Sequence, residues 1–357
     1  MKILAIDIGA GTEDILLYDD EKKSVENCVK MVLPSPSQVF SKNVKAITNM
    51  RKNLFITGDT IGGGVFAHAL RKHVEAGLMA LMTKTAAYSI RNDLEEVKKL
   101  GIKVVKDQLK EFNGKTLVIE EVNIIELARF LTVFDEPLSD IDFVAIAVQD
   151  HGISPQGVSN RRSRIEKTRK LLEKNPKPEA LAYYENEIPQ HFLRMRSAAQ
   201  ASKRQLPDTE VLLMDTSPDA ILGCLKDPLV READPVLVVN IGNSHTMAAI
   251  ILNGEITAIM EHHTNLLNPL KIENMLIHFA DGKLTNEEIF NDRGHGLTFL
   301  TEPPGFSNLG MVVATGPNRN LLTQLKYPVH FASPAGDMMM TGPIGLVEAV
   351  KRKSSEK

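Results

Sequence analysis

The chain opens with a short strand, a glycine turn and a second strand. Residues 2–7 are mostly apolar, Ile8-Gly-Ala-Gly-Thr12 is rich in glycine, and residues 13–20 return to a strand-like pattern that ends in a polar turn. A dinucleotide-binding glycine turn leads instead into a helix whose N-terminus meets the pyrophosphate. The opening therefore predicts a β-hairpin and argues against a Rossmann fold.

The same design returns in the second half of the chain. Residues 235–240 have the pattern of a strand, Ile241-Gly-Asn-Ser-His-Thr246 that of a polar turn, and residues 247–252 that of a second strand. Asn253-Gly254 then signals a tight turn into a third strand, residues 255–260. Two copies of one hairpin predict a duplicated lobe, because their spacing is far too long for a solenoid repeat.

The patterns between and after the hairpins predict an α/β protein of two lobes. We place an N-terminal lobe at residues 1–230 and a C-terminal lobe at 231–357, with the boundary in the stretch 228–234. The first lobe should carry an inserted α/β subdomain at about residues 50–138, and the second should end in an apolar helix at about 338–350. A chain of 357 residues exceeds one compact core, and its 43% apolar content can fill two.

Composition argues against several classes of function. The net charge is −3, so no overall basic field is present to hold nucleic acid or an anionic membrane. Met1 leads directly into a strand rather than a signal peptide, and no apolar stretch of 18 residues occurs. The only cysteines, Cys28 and Cys224, are far apart, which argues against a thiolate zinc site and a disulfide framework. We expect a cytoplasmic protein whose partners are small molecules or proteins.

A third glycine turn, Val312-Val-Ala-Thr-Gly316-Pro317, follows the second hairpin. In this order the hairpins and the late turn resemble the two phosphate motifs and the adenosine motif of the actin, Hsp70 and sugar-kinase superfamily. The resemblance implies an actin-like ATPase fold of two duplicated RNase H-like lobes, with Mg²⁺ and ATP as cofactors between them.

As a whole, the chain resembles an uncharacterised, largely prokaryotic family often labelled pyruvate formate-lyase activating enzyme. An activating enzyme of that kind uses an iron–sulfur cluster held by three closely spaced cysteines. This chain has two isolated cysteines, so the label does not agree with its residues.

The superfamily resemblance assigns roles to the glycine turns. Backbone N–H groups can approach the phosphates of ATP where no side chain intervenes, which explains the glycines of both turns. The carboxylate of Asp7 would hold Mg²⁺ through its water shell, although an aspartate here can also simply cap a turn. The expected nucleotide-binding residues are Gly9, Gly11, Thr12, Gly242, Asn243, Thr246, Gly316 and Pro317.

The second turn departs from the superfamily pattern at Asn240, which stands where an acidic residue often lies. The amide removes one negative charge from the metal site and could instead bind a water or a phosphate. His245 could donate a hydrogen bond to a phosphate or face solvent. For Gly316, an ordinary β-turn is the alternative to an adenosine contact.

Two further stretches resemble the carbohydrate-kinase branch. The strand end around Asp150 and His151 resembles a segment that touches the sugar, so both residues are expected to face the acceptor, in a loop at about residues 149–160. Asp215 resembles the catalytic carboxylate and is expected to accept the proton of the acceptor hydroxyl. Asp219 is the alternative base, or a helix cap.

Three other features lie outside the two hairpins and the late glycine turn. The loop Gly58-Asp-Thr-Ile-Gly62-Gly-Gly64 lacks the Lys-Ser/Thr of a P-loop, and either shapes the substrate pocket or only permits close packing. The basic run at residues 161–170 is expected to be a solvated helix face. His262 and His263 are adjacent on a predicted strand, so they face opposite sides and cannot both ligate one metal.

Two main functions remain open at this point. The chain is either an ATP-dependent phosphotransferase acting on a small-molecule acceptor, or a chaperone-like or regulatory ATPase switch acting on a protein partner. A degenerate nucleotide-binding protein without turnover is a third reading, supported by Asn240. Resemblance at the level of fold does not decide among them.

Overall fold

The computed structural model describes residues 1–106, 109, 111–154 and 159–355. The strands are β1 (Lys2–Ile8), β2 (Thr12–Asp19), β3 (Val29–Pro34), β4 (Leu54–Gly58), β5 (Ala80–Thr83), β6 (Lys103–Val105), β7 (Lys115–Ile119), β8 (Phe143–Val148), β9 (Ala182–Tyr184), β10 (Glu210–Met214), β11 (Val236–Ile241), β12 (His245–Leu252), β13 (Glu255–His263), β14 (Gly296–Phe299), β15 (Met311–Thr315) and β16 (His330–Phe331). The α-helices are α1 (Pro36–Asn49), α2 (Gly64–Glu75), α3 (Lys84–Ala87), α4 (Leu94–Lys99), α5 (Ile124–Thr132), α6 (Asn160–Leu172), α7 (Leu193–Gln205), α8 (Thr216–Cys224), α9 (Pro269–Ala280), α10 (Asn286–Asn291) and α11 (Thr341–Ser355).

Two six-stranded sheets share one order of five strands, and the sixth strand is β9 at one edge of the first sheet and β14 at the opposite edge of the second. The first runs β3-β2-β1-β8-β10-β9 and the second β14-β13-β12-β11-β15-β16. In each sheet the first strand of the hairpin pairs antiparallel with the next strand and parallel with a strand from much later in the chain. β10 and β16 then extend the parallel part. This is the 3-2-1-4-5 order of an RNase H-like domain, present twice, so the predicted duplicated α/β fold is confirmed.

Helices α8 and α11 lie between the two sheets. One apolar cluster joins side chains of both sheets to these helices, including Ile3, Val238 and Val347. The helices touch through their backbones, since a Cβ on Gly223 would overlap the carbonyl of Thr341 and one on Gly345 that of Asp219. We assigned α11 to the C-terminal lobe by its position in the chain, but it packs on α8 and on β1 and β8 of the first sheet.

The inserted subdomain is a four-stranded parallel sheet, β6-β5-β4-β7, with helices α1 to α4. It extends from about residue 36 to 119, whereas we expected 50–138. The start lies earlier because Val44 of α1 packs in the apolar cluster of this subdomain. The end lies earlier because Leu127 of α5 packs on the outer face of the first six-stranded sheet.

Among the helices of the described ranges, none is both long and apolar enough to cross a bilayer.

Candidate functional site

The two glycine turns have the same geometry and the same length. The N–H of Gly9 donates to the carbonyl of Thr12 at 2.9 Å, and that of Gly242 to the carbonyl of His245 at 2.9 Å. Thr12 therefore corresponds to His245 and not to Thr246. Thr246 is buried, with its hydroxyl 3.0 Å from that of Thr264, and it does not line the cleft in which we expected it to donate to a phosphate.

The turns face each other across a cleft of about 580 Å³ between the lobes. They meet where Gly11 approaches Asn243, since a Cβ on Gly11 would lie 2.8 Å from the Asn243 Nδ2 atom. Most of the predicted site residues line the cleft, namely Asp7, Gly9, Thr12, Asp150, His151, Gly242, Asn243, Gly316 and Pro317. The structure thus brings residues of both halves of the chain to one place.

The third glycine turn is hydrogen-bonded to the second hairpin and packs closely against it. Gly316 has a φ of +93°, and a Cβ there would lie 2.5 Å from the carbonyl oxygen of Ile241 and 2.7 Å from the Asn240 Oδ1 atom. Asn318 donates from its backbone to the Ile241 carbonyl at 3.0 Å and from its side chain to the Gly242 carbonyl at 2.9 Å. Glycine is therefore required by both conformation and space, and the turn belongs to the cleft wall.

Buried carboxylates gather beneath the first turn. Asp7 and Asp14 face each other across the hairpin, and Asp219 lies on α8. Each has one buried oxygen without a hydrogen-bond partner: Oδ1 of Asp7, Oδ1 of Asp14 and Oδ2 of Asp219. Burial raises the pKa of Asp7 and of Asp219 well above the usual range, and their neighbouring carboxylates add to the shift. Burial also raises the pKa of Asp14 to about 7. Unpaired carboxylate oxygens of this kind fit Mg²⁺, which prefers oxygen ligands.

The first turn of α11 packs against this group of carboxylates. Any side chain on Gly342 would overlap the carboxylate of Asp7, so glycine is the residue that lets the helix approach. Neither Asp14 nor Gly342 was among our predicted site residues. The pattern of β2 marks Asp14 only as one more polar position next to the turn.

The carboxylates of Asp215 and Asp150 both accept hydrogen bonds from other groups of the protein. The two oxygens of Asp215 accept from Arg164 at 3.0 and 3.2 Å, and the N–H of Ser217 also donates to this carboxylate, at the start of α8. Asp150 accepts from the N–H groups of Arg194 and Met195 at 2.7 and 3.1 Å, at the start of α7. Asp215 does not line the cleft. Residues 155–158 of the predicted acceptor loop lie outside the described residues.

Arg164 corrects our expectation for the basic run. Its side chain is only 9% exposed, and its Nε donates to the Glu261 Oε2 atom at 2.6 Å while its other nitrogens bind Asp215. The side chains of Arg162 and Arg169 are 48% and 39% exposed, as a solvated face requires. Arg164 thus joins the first lobe to β13 of the second. Burial favours the neutral acid of Glu261, but the charge of Arg164 outweighs burial and holds the pKa of Glu261 well below its usual range.

Three mutually packed imidazoles lie beside Glu261 at the edge of the cleft, and the ring of His263 packs against two of them, those of His245 and His295. The ring centroids of His151, His245 and His295 are 4.9 to 5.1 Å apart. Burial lowers the pKa of His245 to about 4 and that of His295 to about 3, so these rings are neutral near pH 7. We singled out His151 and His245 separately, but nothing in their spacing connects them to His295 or Glu261.

The adjacent histidines of β13 face opposite ways, as we predicted. The Nε2 atom of His262 lies 2.9 Å from Asp292, whereas the ring of His263 lies 4.8 Å from that of His245.

The glycine loop of the inserted subdomain reaches the cleft, where residues 60–64 form part of the lining. It is also tightly packed, because the Thr60 N–H donates to Ser197 at 2.8 Å and a Cβ on Gly63 would lie 2.5 Å from the Ser89 carbonyl oxygen. The loop is therefore closely packed and also lines the cleft, while its role in shaping a substrate pocket stays a prediction. Arg194, which binds Glu121 at 2.5 Å, brings a cation to the same wall.

A family profile described as "Putative pyruvate format-lyase activating enzyme (DUF1786)" matches residues 61–321, which is more than half of the chain. The chain belongs to this family. The residues of this member do not fit an iron–sulfur cluster, because the only two cysteines of the sequence are both buried, Cys28 beside β3 and Cys224 in α8. Among curated proteins, none matches the sequence.

Several solved structures are similar to this family member over nearly its whole length. The ROK hexokinase from Thermus thermophilus covers 100% of both chains at 11% identity, with a TM-score of 0.34. The PilM–PilN type IV pilus biogenesis complex covers 98% of both at 11% identity and 0.42. A protein with an actin-like ATPase fold from Bacteroides thetaiotaomicron covers 96% of this chain and 95% of its own at 9% identity and 0.38. The assignment of the fold rests on the duplicated sheet order itself.

Proposed function

We propose that the cleft binds Mg-ATP and that the protein is an ATP-dependent phosphotransferase acting on a small-molecule acceptor. The observation that carries this proposal is the pair of matched glycine turns, one from each lobe, which face each other across one cleft. Their backbone N–H groups would hold the phosphates, and the turn at Gly316 and Pro317 would lie against the adenosine. The closed interlobe cleft would bring the acceptor in line with the γ-phosphate.

Asp7 would hold Mg²⁺, with Asp14 and Asp219 close enough to bind waters of its shell. The ion would neutralise charge on the phosphates, which supplies much of the rate in phosphoryl transfer. The unpaired oxygens of these carboxylates support this role. Asn240 on the opposite turn adds no charge, so the metal would be held mainly from the first lobe.

A nucleotide-dependent switch that acts on a protein partner is the second candidate. It is favoured by the bonds of the predicted catalytic residues, because Arg164 binds both oxygens of Asp215 and two helix N–H groups bind Asp150. A carboxylate held in this way is a poor acceptor for the proton of a substrate. His151 lines the cleft wall, but its ring packs against those of His245 and His295.

Nucleotide binding is tested by thermal unfolding with ATP, ADP or NAD, each with and without Mg²⁺. A ligand at a hundred times its Kd stabilises a fold by about 2.7 kcal/mol. With an unfolding entropy of about 2.1 cal/mol/K per residue, the 357 residues give a rise in Tm of about 3–4 °C. We expect a Mg²⁺-dependent rise with ATP or ADP that Asp7→Ala removes. Asp20→Ala, at the exposed far end of the same hairpin, should keep it.

The absence of any rise with adenine nucleotides would contradict the proposal. If the rise is found, ATP consumption distinguishes the phosphotransferase from the switch. A phosphotransferase consumes ATP in proportion to an added acceptor and yields a phosphorylated product, whereas a switch hydrolyses ATP slowly and independently of small molecules. A panel of sugars and carboxylic acids, followed by phosphorus NMR, distinguishes these outcomes.

A further inference from the structure

We propose that His151, His245, His295 and Glu261 form a binding site for a divalent transition-metal ion of the Zn²⁺ type, at the junction of the two lobes. This site is separate from the carboxylate group around Asp7. It depends only on these four side chains and does not require the nucleotide-binding proposal.

The four ligands come from four separate segments that the fold brings together. His151 follows β8 of the first lobe, His245 begins β12, Glu261 lies in β13 and His295 precedes β14. One ligand atom from each lies within 4.8 Å of every other. A tetrahedral ion with metal–nitrogen bonds of about 2.0–2.1 Å holds its ligands about 3.4 Å apart, so even the widest pair needs to close by only roughly 1.4 Å.

Each of the four proposed ligands has a buried polar atom without a hydrogen-bond partner. The Nε2 atoms of His151 and His245, both ring nitrogens of His295 and the Oε1 atom of Glu261 are buried without a hydrogen bond. Native proteins rarely leave buried polar atoms unpaired, because each costs about 1–3 kcal/mol. Each of the four side chains thus has at least one unpaired polar atom, and one ligand atom of each lies within 4.8 Å of the others. This indicates a shared ligand that accepts electron pairs, as a metal ion does, with one of the two ring nitrogens of His295 bound to it.

Neighbouring groups hold the ligands in the orientation that a metal requires. Arg164 binds Oε2 of Glu261 and so leaves Oε1 for the ion. The Nε2 atom of Gln149 lies 2.7 Å from Nδ1 of His245, a placement in which the amide donates and the proton of the neutral ring is on its Nε2. A 180° rotation of the amide group would bring its oxygen to Nδ1–H instead, and the Nε2 atom of His245 would then be free to ligate. Such outer hydrogen bonds are typical of histidine metal sites.

The ligand types select the metal. Three imidazoles and one carboxylate suit Zn²⁺ and its neighbours in the transition series, whereas Mg²⁺ prefers oxygen alone. Arg164 offsets the charge of only one of its two partner carboxylates, Asp215 and Glu261, so a divalent ion also improves the charge balance. Because only His151 comes from the first lobe, the bound ion would tie the two lobes together beside the cleft.

The test uses the full chain without a histidine tag and without nucleotide. We expect elemental analysis to find about one transition-metal ion per chain, and Co²⁺ added to the metal-free protein to give the visible absorption of a tetrahedral site. Excess Mg²⁺ should not displace the ion. His295→Gln and His151→Gln should each weaken Zn²⁺ binding by at least about 100-fold. His278→Gln, an exposed histidine on α9, should bind as the native chain does.

Circular dichroism of each metal-free variant shows whether it is folded, and His151→Gln, at the half-buried position, serves if His295→Gln does not fold. The proposal is overturned if the native chain neither retains nor binds a transition metal. It is equally overturned if both folded variants bind Zn²⁺ as tightly as the native chain. Neither result depends on whether the protein binds ATP.

Discussion

Replacing Arg164 with methionine would remove the charge that joins the two lobes while largely preserving the volume of the side chain. Glu261 and Asp215 would then be buried without their cation. Removing one partner of a buried ion pair costs about 3–5 kcal/mol. Asp215 keeps the N–H donors of Asp150 and Ser217, so most of the cost should fall on Glu261. We therefore expect Arg164→Met to lose about 3–5 kcal/mol of unfolding free energy at pH 7 in metal-free protein.

The pH dependence of this loss identifies its cause. In the native chain Arg164 holds the folded-state pKa of Glu261 below its unfolded-state pKa. The stability that this ion pair contributes is therefore fully present above the unfolded-state pKa and is lost as pH falls through the folded-state pKa. In the variant, burial without a cation raises the folded pKa of Glu261 above the unfolded one, so protonation relieves the cost as pH falls. The difference between native and variant should narrow by about 1.4 kcal/mol per pH unit from pH 7 to pH 5.

Denaturant unfolding with a chelator at both pH values measures this difference. Arg169→Met is the matched control on the same helix, because its partners Glu166 and Glu173 are exposed and such pairs contribute less than about 1 kcal/mol. A loss below about 1 kcal/mol for Arg164→Met at pH 7, or a loss that does not change with pH, would refute the reasoning.

Three further predictions follow from the cleft and the helices around it. Because the folded pKa of Asp14 is raised to about 7, the Mg²⁺-free native chain should lose about 1.4 kcal/mol more stability than Asp14→Asn between pH 6 and pH 8; parallel thermal unfolding curves for the two chains would contradict this. Gly345→Ala should cost about 3 kcal/mol, the upper end for overpacking, because its methyl group meets the backbone of Asp219; calorimetry showing a cost below about 1 kcal/mol would argue against a backbone contact between α8 and α11. Gly316→Ala should raise the Kd for ADP at least about tenfold, since the positive φ and the Ile241 carbonyl both exclude a side chain; an unchanged Kd in isothermal titration would remove this turn from the site.

The two hairpins could be predicted because their signals are local. Alternating apolar strands and glycines at a turn appear within about twenty residues, and finding the pattern twice predicts a duplicated lobe. The limits of the inserted subdomain could not be found in the same way. Helix α1 belongs to it because Val44 packs against strands that come later in the chain, and no local pattern reports such a contact.

The residues of the candidate site also differ in whether a local sequence pattern could reveal them. Asp7 and the glycines lie within their own turns, so the sequence already shows their relation to one another. We expected Thr246 in the cleft because we matched the two turns by their threonines, whereas the backbone hydrogen bonds match Thr12 with His245 and Thr246 is buried. The imidazole cluster and Arg164 were missed because their partners come from distant strands, which become neighbours only when the sheets form.

The position of α11 sets an order for folding during synthesis. The strands of the first sheet are complete at Met214, but the helix that covers part of its inner face ends at Ser355. At roughly 5–20 residues per second, a ribosome needs about 7–28 s to make the chain between these points. During this interval the inner face, including Ile3 and Ala147, lacks its final cover. The N-terminal lobe can therefore reach its native packing only after α11 has emerged.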